Sequence, residues 1–165
     1  MPEKRTIRRA HKARREGKAP TTQAGEFIRE EMRHIRSGKH GARSTKQAIA
    51  IGLSKARRAG VKLPPPAKGQ VSQKTRRSAE RAYAAGQKGE SHKTSPTRSR
   101  AITEVLKHEG HRAASSEALS RQASEAARKR SPSERSASAR MGMRKRSPEE
   151  RSASARKAAR TRRGS

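Results

Sequence analysis

Basic residues recur in clusters in this sequence, and those clusters carry its most evident chemistry. Arg128-Lys129-Arg130, Arg144-Lys145-Arg146 and Arg156-Lys157 followed by Arg160, Arg162 and Arg163 punctuate the C-terminal stretch. Guanidinium and ammonium groups at this density neutralise phosphate, and each neutralised phosphate releases a condensed counterion. Residues 128–165 hold 14 Lys/Arg against 3 Glu. Helical spacing would spread these cations around a cylinder, which suits phosphates on both sides of a groove. Lys46, Arg57 and Arg58 form a smaller upstream set, expected to lie outside the apolar arc of a helix.

Other chemistries find little support. The chain has no Cys, which removes thiolate metal sites and Cys nucleophiles, and all 14 acids are Glu. His108 and His111 form an H-x-x-H, but helical metal pairs favour a spacing of four and Gly110 interrupts the helix between them. His40, in GKHGAR, reads as a phosphate contact or an exposed loop residue. There is no P-loop and no Ser/His/acid constellation. No catalytic, cofactor or metal site is therefore expected, and the protein is read as non-enzymatic. Base readout is also poorly served. Asn, a standard reader of adenine, is absent, and the aromatic residues are Phe27 and Tyr83. Phe27 is expected in a core, and Tyr83 stays ambiguous.

The elements that must position these residues have scant material for a core. Only 14 of 165 residues are Leu, Ile, Val or Phe, and the formal net charge is +30. Such composition points to disorder or conditional folding, while abundant Ala favours helix. The expected fold is mostly α and partly disordered: a small helical hairpin with basic helical or disordered arms and no large core. No apolar run approaches a membrane span or a signal-peptide core, so a soluble, cytoplasmic protein with no membrane partner is expected.

Residues 1–20 read as a basic N-terminal arm. Residues 21–66 read as the hairpin module. Its first helix is expected from about Gln23, capped by Thr22, with Phe27, Ile28, Met32 and Ile35 on one stripe. Glu26, Glu30 and Glu31 are expected to favour its N-terminal end. The second helix opens on Ser44 and Gln47, a capping box, and stops at Gly60. Ala48, Gly52 and Ala56 lie on its inner arc, small enough to let another helix approach closely. Residues 67–112 read as a linker with two short helices. The first runs from Ser72 to a stop at Gly86, and the second surrounds Ile102, Val105 and Leu106.

Residues 113–165 read as a basic tail with an internal repeat of 16 residues. Arg128–Arg140 and Arg144–Arg156 agree at 12 of 13 positions, differing at Ser133 and Glu149. Each copy opens with a cap, carries Glu early and closes on arginines, the charge order that suits a helix dipole. The Ser131-Pro132 and Ser147-Pro148 steps admit two roles. One is N-cap followed by Pro at the first helical position. The other is a minor-groove turn, as in the S-P steps of linker-histone tails, which these resemble.

The stretch GKHGARSTKQAIAIGLSKARRAGVKLPPPAKG, residues 38–69, resembles a family of small, very basic bacterial proteins. These carry a K-H-G…S-[RT]-K-Q-A-I-A-I-[AG]-L-S-x-A-R-x-A-G signature and Ala/Lys/Arg-rich tails. Lys39, His40, Gly41, Ser44, Lys46, Gln47, Ala48, Ile49, Ala50, Ile51, Leu53, Ser54, Ala56, Arg57, Ala59 and Gly60 match it. The family is similar to histone-like or presumed DNA-binding proteins, sometimes labelled plasmid-stabilising. The resemblance implies a nucleoid-associated protein and assigns no site. Charge and resemblance together lead to the expectation of largely sequence-independent DNA binding through phosphate neutralisation. The alternatives are an RNA- or ribosome-associated protein, or a hairpin that self-associates or binds a protein partner while anchored to nucleic acid.

Overall fold

The computed structural model describes residues 2–89, 95–144 and 146–163. Among these residues are eight α-helices, a single 3₁₀ turn at Arg112–Ala114, and no strand. The helices are α1 (Lys4–Arg15), α2 (Pro20–Arg36), α3 (Thr45–Arg58), α4 (Gln73–Gln87), α5 (Pro96–Lys107), α6 (Ser116–Arg128), α7 (Pro132–Arg144) and α8 (Pro148–Arg163). The chain divides into two compact units, residues 1–122 and 123–165. None of the helices among the described residues is long and apolar enough to cross a membrane.

The all-helical reading holds, and the expectation of partial disorder is corrected. Both stretches read as arms are helical. Ala, Lys, Arg and Glu have high intrinsic helix propensity, so these segments form helices with little help from apolar burial.

Helices α2 and α3 form the expected hairpin and pack most extensively against one another. Phe27 and Ile35 are fully buried, and Met32 nearly so. The close approach happens at Gly52, where an added Cβ would sit 2.8 Å from the Ile28 Cα. The α3 start is built as the sequence implied, with the Ser44 hydroxyl accepting from the Gln47 amide at 3.2 Å. The Gln47 side chain reaches back one residue further than a capping box would place it, accepting from the Arg43 amide at 2.8 Å.

Several local expectations are corrected. α2 starts at Pro20 with Ala19 as its cap, and Thr22 makes no cap bond, because Pro at the first helical position is already preset for helix. Glu30 and Glu31 are not dipole partners of the α2 start. They lie in its second half and are buried. α1 is not a free arm: it packs on α2, burying Thr6, Ala10 and Ala13. Gly86 does not stop α4, which runs to Gln87. It allows α4 to cross α3, since a Cβ there would collide with the Arg57 carbonyl oxygen.

Two small apolar clusters lie among the described residues of the first unit. One joins Ala10, Ala24, Phe27, Ala56 and Val61, from α1, α2, α3 and the turn after α3. The other joins Met32, Ile35, Ala42, Ala48, Ala113 and Ala114, so the 3₁₀ turn closes the far end of the hairpin. The Thr45 hydroxyl donates to the Ala113 carbonyl at 2.7 Å and the Arg36 Nε to the Ala114 carbonyl at 2.8 Å. The hairpin loop is tied down in the same region, with the Gly41 amide donating to the Leu106 carbonyl at 2.7 Å.

Candidate functional site

The basic residues singled out in the sequence separate into three groups. Arg128, Lys129, Arg130, Arg144, Arg146, Arg156, Lys157, Arg160, Arg162 and Arg163 are all exposed. Lys145 lies outside the described residues, as do residues 90–94 of the expected 67–112 linker. α7 and α8 bury no side chain. At 100° per residue, Arg151, Arg156, Lys157, Arg160, Arg162 and Arg163 spread over about 240° of the α8 circumference, so the charge is not confined to a narrow face.

The tail helices begin on reciprocal caps. The Ser131 hydroxyl accepts from the Glu134 amide at 3.2 Å, while the Ser131 amide donates to Glu134 Oε2 at 2.8 Å. Ser147 and Glu150 repeat the pair at 3.2 and 2.9 Å. The sequence signal S-P-x-E was present at both places, and it settles Ser131 and Ser147 as caps with Pro at the first helical position. The Ser131 amide and, at 3.1 Å, its hydroxyl both donate to Glu134 Oε2 and hold that carboxyl below its ordinary 4.5, the backbone amide being the larger cause.

The upstream set does not stay together. Lys46 and Arg58 are exposed, but they stand at opposite ends of α3, about 18 Å apart along its axis. Arg57 is corrected outright. It is 7 % exposed and turns inward, its Nε donating to the Leu63 carbonyl and a terminal nitrogen to the Pro64 carbonyl, both at 3.2 Å. Burial lowers its pKa. It anchors the proline-rich exit rather than facing solvent.

The stretch read as a basic N-terminal arm presents its cations on the outer surface of α1. With Thr6, Ala10 and Ala13 turned inward, Lys4, Arg5, Arg8, Arg9, Lys12, Arg14 and Arg15 are all exposed. No acid occurs within the helix. Phe27 is 1 % exposed, which removes it as a stacking platform, and Tyr83 is half-buried on α4. α5 exposes Ile102 and Val105 beside Gln47, Ala101 and Leu106, a shallow apolar patch.

Sequence reasoning missed a second site altogether, a cluster of charged groups buried where α1, α2, α3 and the hairpin loop meet. Glu30 is 1 % and Glu31 0 % exposed. Glu30 Oε2 accepts from the Glu3 amide at 3.1 Å. Lys55 of α3 donates to Glu31 Oε2 at 2.5 Å and stands 3.9 Å from Glu30 Oε1. The Glu3 carboxylate binds His34 Nε2 at 2.8 Å and an Arg33 terminal nitrogen at 2.6 Å. The bond from His34, with Arg33 beside it, holds the Glu3 carboxyl down at about 2. His40 Nε2 stands 3.3 Å from Glu31 Oε1, and the His34 and His40 rings meet edge to face with centroids 6.2 Å apart. The cluster's sequence signal is E-x-x-H over Glu31–His34, the spacing that brings two ligands to one face of a helix.

Residues 4–68, from α1 through the proline-rich exit after α3, match the model of a family of unknown function, DUF6496. The matched segment holds all of the cluster except Glu3 and stops well before the repeats. No curated protein and no solved structure matches the chain.

Proposed function

We propose that the protein is a non-enzymatic, largely sequence-independent DNA-binding protein of the histone-like, nucleoid-associated kind, acting by phosphate neutralisation. One observation carries the reading. α7 and α8 bury no side chain, the cations of α8 spread over about two thirds of its circumference at 100° per residue, and Glu134 and Glu150, two of the three acids on the two helices, are taken up in helix caps. A helix with no buried face and so few acids to balance its arginines has a polyanion as its natural counterpart. The basic face of α1 is a second contact surface on the first unit. Lack of exposed aromatic platforms among the described residues favours duplex backbone over stacked single strands.

Removing the chain after Arg128, which leaves α6 whole, is the test. Affinity for a short duplex should fall, and the slope of log K against log salt should become shallower by about 0.9 for each phosphate no longer neutralised. An unchanged affinity and slope would refute the tail assignment. Competition between duplex DNA and structured RNA at matched salt decides between the two polyanions, and a clear preference for RNA would replace the DNA reading with ribosome or RNA association.

A further inference from the structure

The buried cluster poses a problem of electron pairs. His40 Nδ1 stands 3.0 Å from the Gly41 carbonyl oxygen. A carbonyl only accepts, so Nδ1 carries the hydrogen and neutral His40 has a bare lone pair on Nε2. That lone pair faces Glu31 Oε1 at 3.3 Å, and Oε1 has no hydrogen-bond partner although Glu31 is fully buried. Two lone pairs face each other across this gap only with a proton or a metal ion between them. His34 is fixed in the complementary way. Its Nε2 stands 2.8 Å from a Glu3 carboxylate oxygen and donates to it, which leaves Nδ1 bare.

The charge balance agrees. Two buried carboxylates, Glu30 and Glu31, share the single ammonium of Lys55, and one oxygen of each has no hydrogen-bond partner. Arg33 and Lys39 pair with Glu3 at the solvent rim. Lys55 is thus the one cation set between the two buried carboxyls, and a buried carboxyl oxygen left without a partner is costly.

From these observations we infer that Glu31, His34 and His40 form a binding site for a divalent transition-metal ion, zinc in particular. One ligand atom of each residue lies within 4.8 Å of the other two. The Glu31–His40 separation of 3.3 Å matches the edge of a tetrahedron whose ligands stand 2.0–2.1 Å from its centre, about 3.4 Å. The surrounding bonds are those that orient metal-bound imidazoles. His40 donates its other nitrogen to a backbone carbonyl, and His34 donates to a carboxylate. Two imidazoles and one carboxylate suit zinc, cobalt or nickel over magnesium or calcium, with water as the fourth ligand. The ion enters from the rim, where the His34 and His40 side chains are 11 % and 14 % exposed. Its effect is to lock the hairpin loop onto α2. This site is independent of the DNA-binding reading and survives or fails without it.

The experiment is titration of the full-length, metal-free protein with Zn²⁺ by calorimetry, and with Co²⁺ followed by its visible absorption. The expected result is one saturating site per chain, tetrahedral cobalt bands, a melting temperature raised by Zn²⁺, and no response to Mg²⁺. His40→Gln should weaken Zn²⁺ binding by at least about 100-fold and abolish the melting shift. Glu3→Gln, which leaves all three ligands in place, should weaken binding by about 10-fold, the range found for groups that orient a ligand. Joint replacement His108→Gln and His111→Gln should change nothing. The inference is overturned if binding is absent or not stoichiometric, if it survives His40→Gln, or if it is lost with His108 and His111. It is equally overturned if nitrogen NMR shows His40 as an imidazolium at pH 8 and the protein takes up no Zn²⁺, for then a proton fills the gap.

Discussion

At the scale of single residues, Arg57 and Gly52 show how position overrides type. Arg57 lies within a basic run, yet its guanidinium satisfies the carbonyls of Leu63 and Pro64 inside the fold. Arg57→Met should therefore leave DNA affinity and its salt slope unchanged while lowering stability by about 1–3 kcal/mol, the cost of unsatisfied buried acceptors, measured by urea unfolding. Arg58→Met, at an exposed neighbour, should do the reverse. Gly52 faces the Ile28 backbone at a distance no Cβ tolerates. Gly52→Ala is expected to cost about 1–3 kcal/mol, because a backbone cannot rotate away as a side chain can. Gly25→Ala, on α2 with nothing within 4 Å, is the control and should stabilise by up to about 1 kcal/mol. The small inner residues of α3 were legible in the sequence because they recur at helical spacing. Arg57 was not, since spacing marks a face of one helix but cannot reveal the chain that folds back over it. The Glu31, His34 and His40 site was illegible for a related reason: two of its ligands share a helix, the third lies in the hairpin loop, and Glu3 arrives from 28 residues upstream.

At the scale of elements, the tail repeat is a set of short helices whose starts are defined by side chains rather than by packing. Ser and Glu fix where α7 and α8 begin, and an N-cap contributes about 1 kcal/mol. The Glu134 carboxyl is held below 4.5 by Ser131, so the sign of its pH effect is fixed. A depressed folded-state value means the stabilisation is fully present above the ordinary carboxylate range and is lost as pH falls through the depressed one. The Glu134 carboxyl resonance should titrate below 4.5 in the full chain, with far-UV helicity falling in the same interval. Ser131→Ala should restore only part of the ordinary value, because the backbone amide, the larger cause, still donates. A full return to 4.5, or none, would contradict the reciprocal cap. The element that sequence reading undervalued is α1. Its buried stripe of Thr6, Ala10 and Ala13 contains no large apolar residue, so hydrophobic periodicity alone scores it as solvated. What seats it is the half-buried Ile7 beside Ala10 on the Phe27 cluster, together with polar bonds in which Glu3 and its amide reach Arg33, His34 and Glu30.

At the scale of the whole molecule, the charge is divided between two units. Residues 123–165 hold 14 Lys/Arg against 4 Glu, and the first 122 residues hold the other 30 against 10. The second unit is the denser polycation, but most of the cations belong to the first. Any polyanion that engages the tail is therefore tethered to a folded unit that is itself strongly positive, and the second contact becomes intramolecular. The α1 face is where that contact is expected. Arg8→Gln together with Arg15→Gln removes two exposed cations without touching the buried stripe. In the full-length protein this pair should make the log K against log salt slope shallower by about 1.8, at about 0.9 per phosphate. In the chain ending at Arg128 the same pair should lower the remaining affinity further, because no tail is left to hold the duplex nearby. If the slope is unmoved in both backgrounds, α1 does not touch phosphate. Affinity then resides in the repeats, and the first unit is left to the hairpin and the cluster buried beneath it.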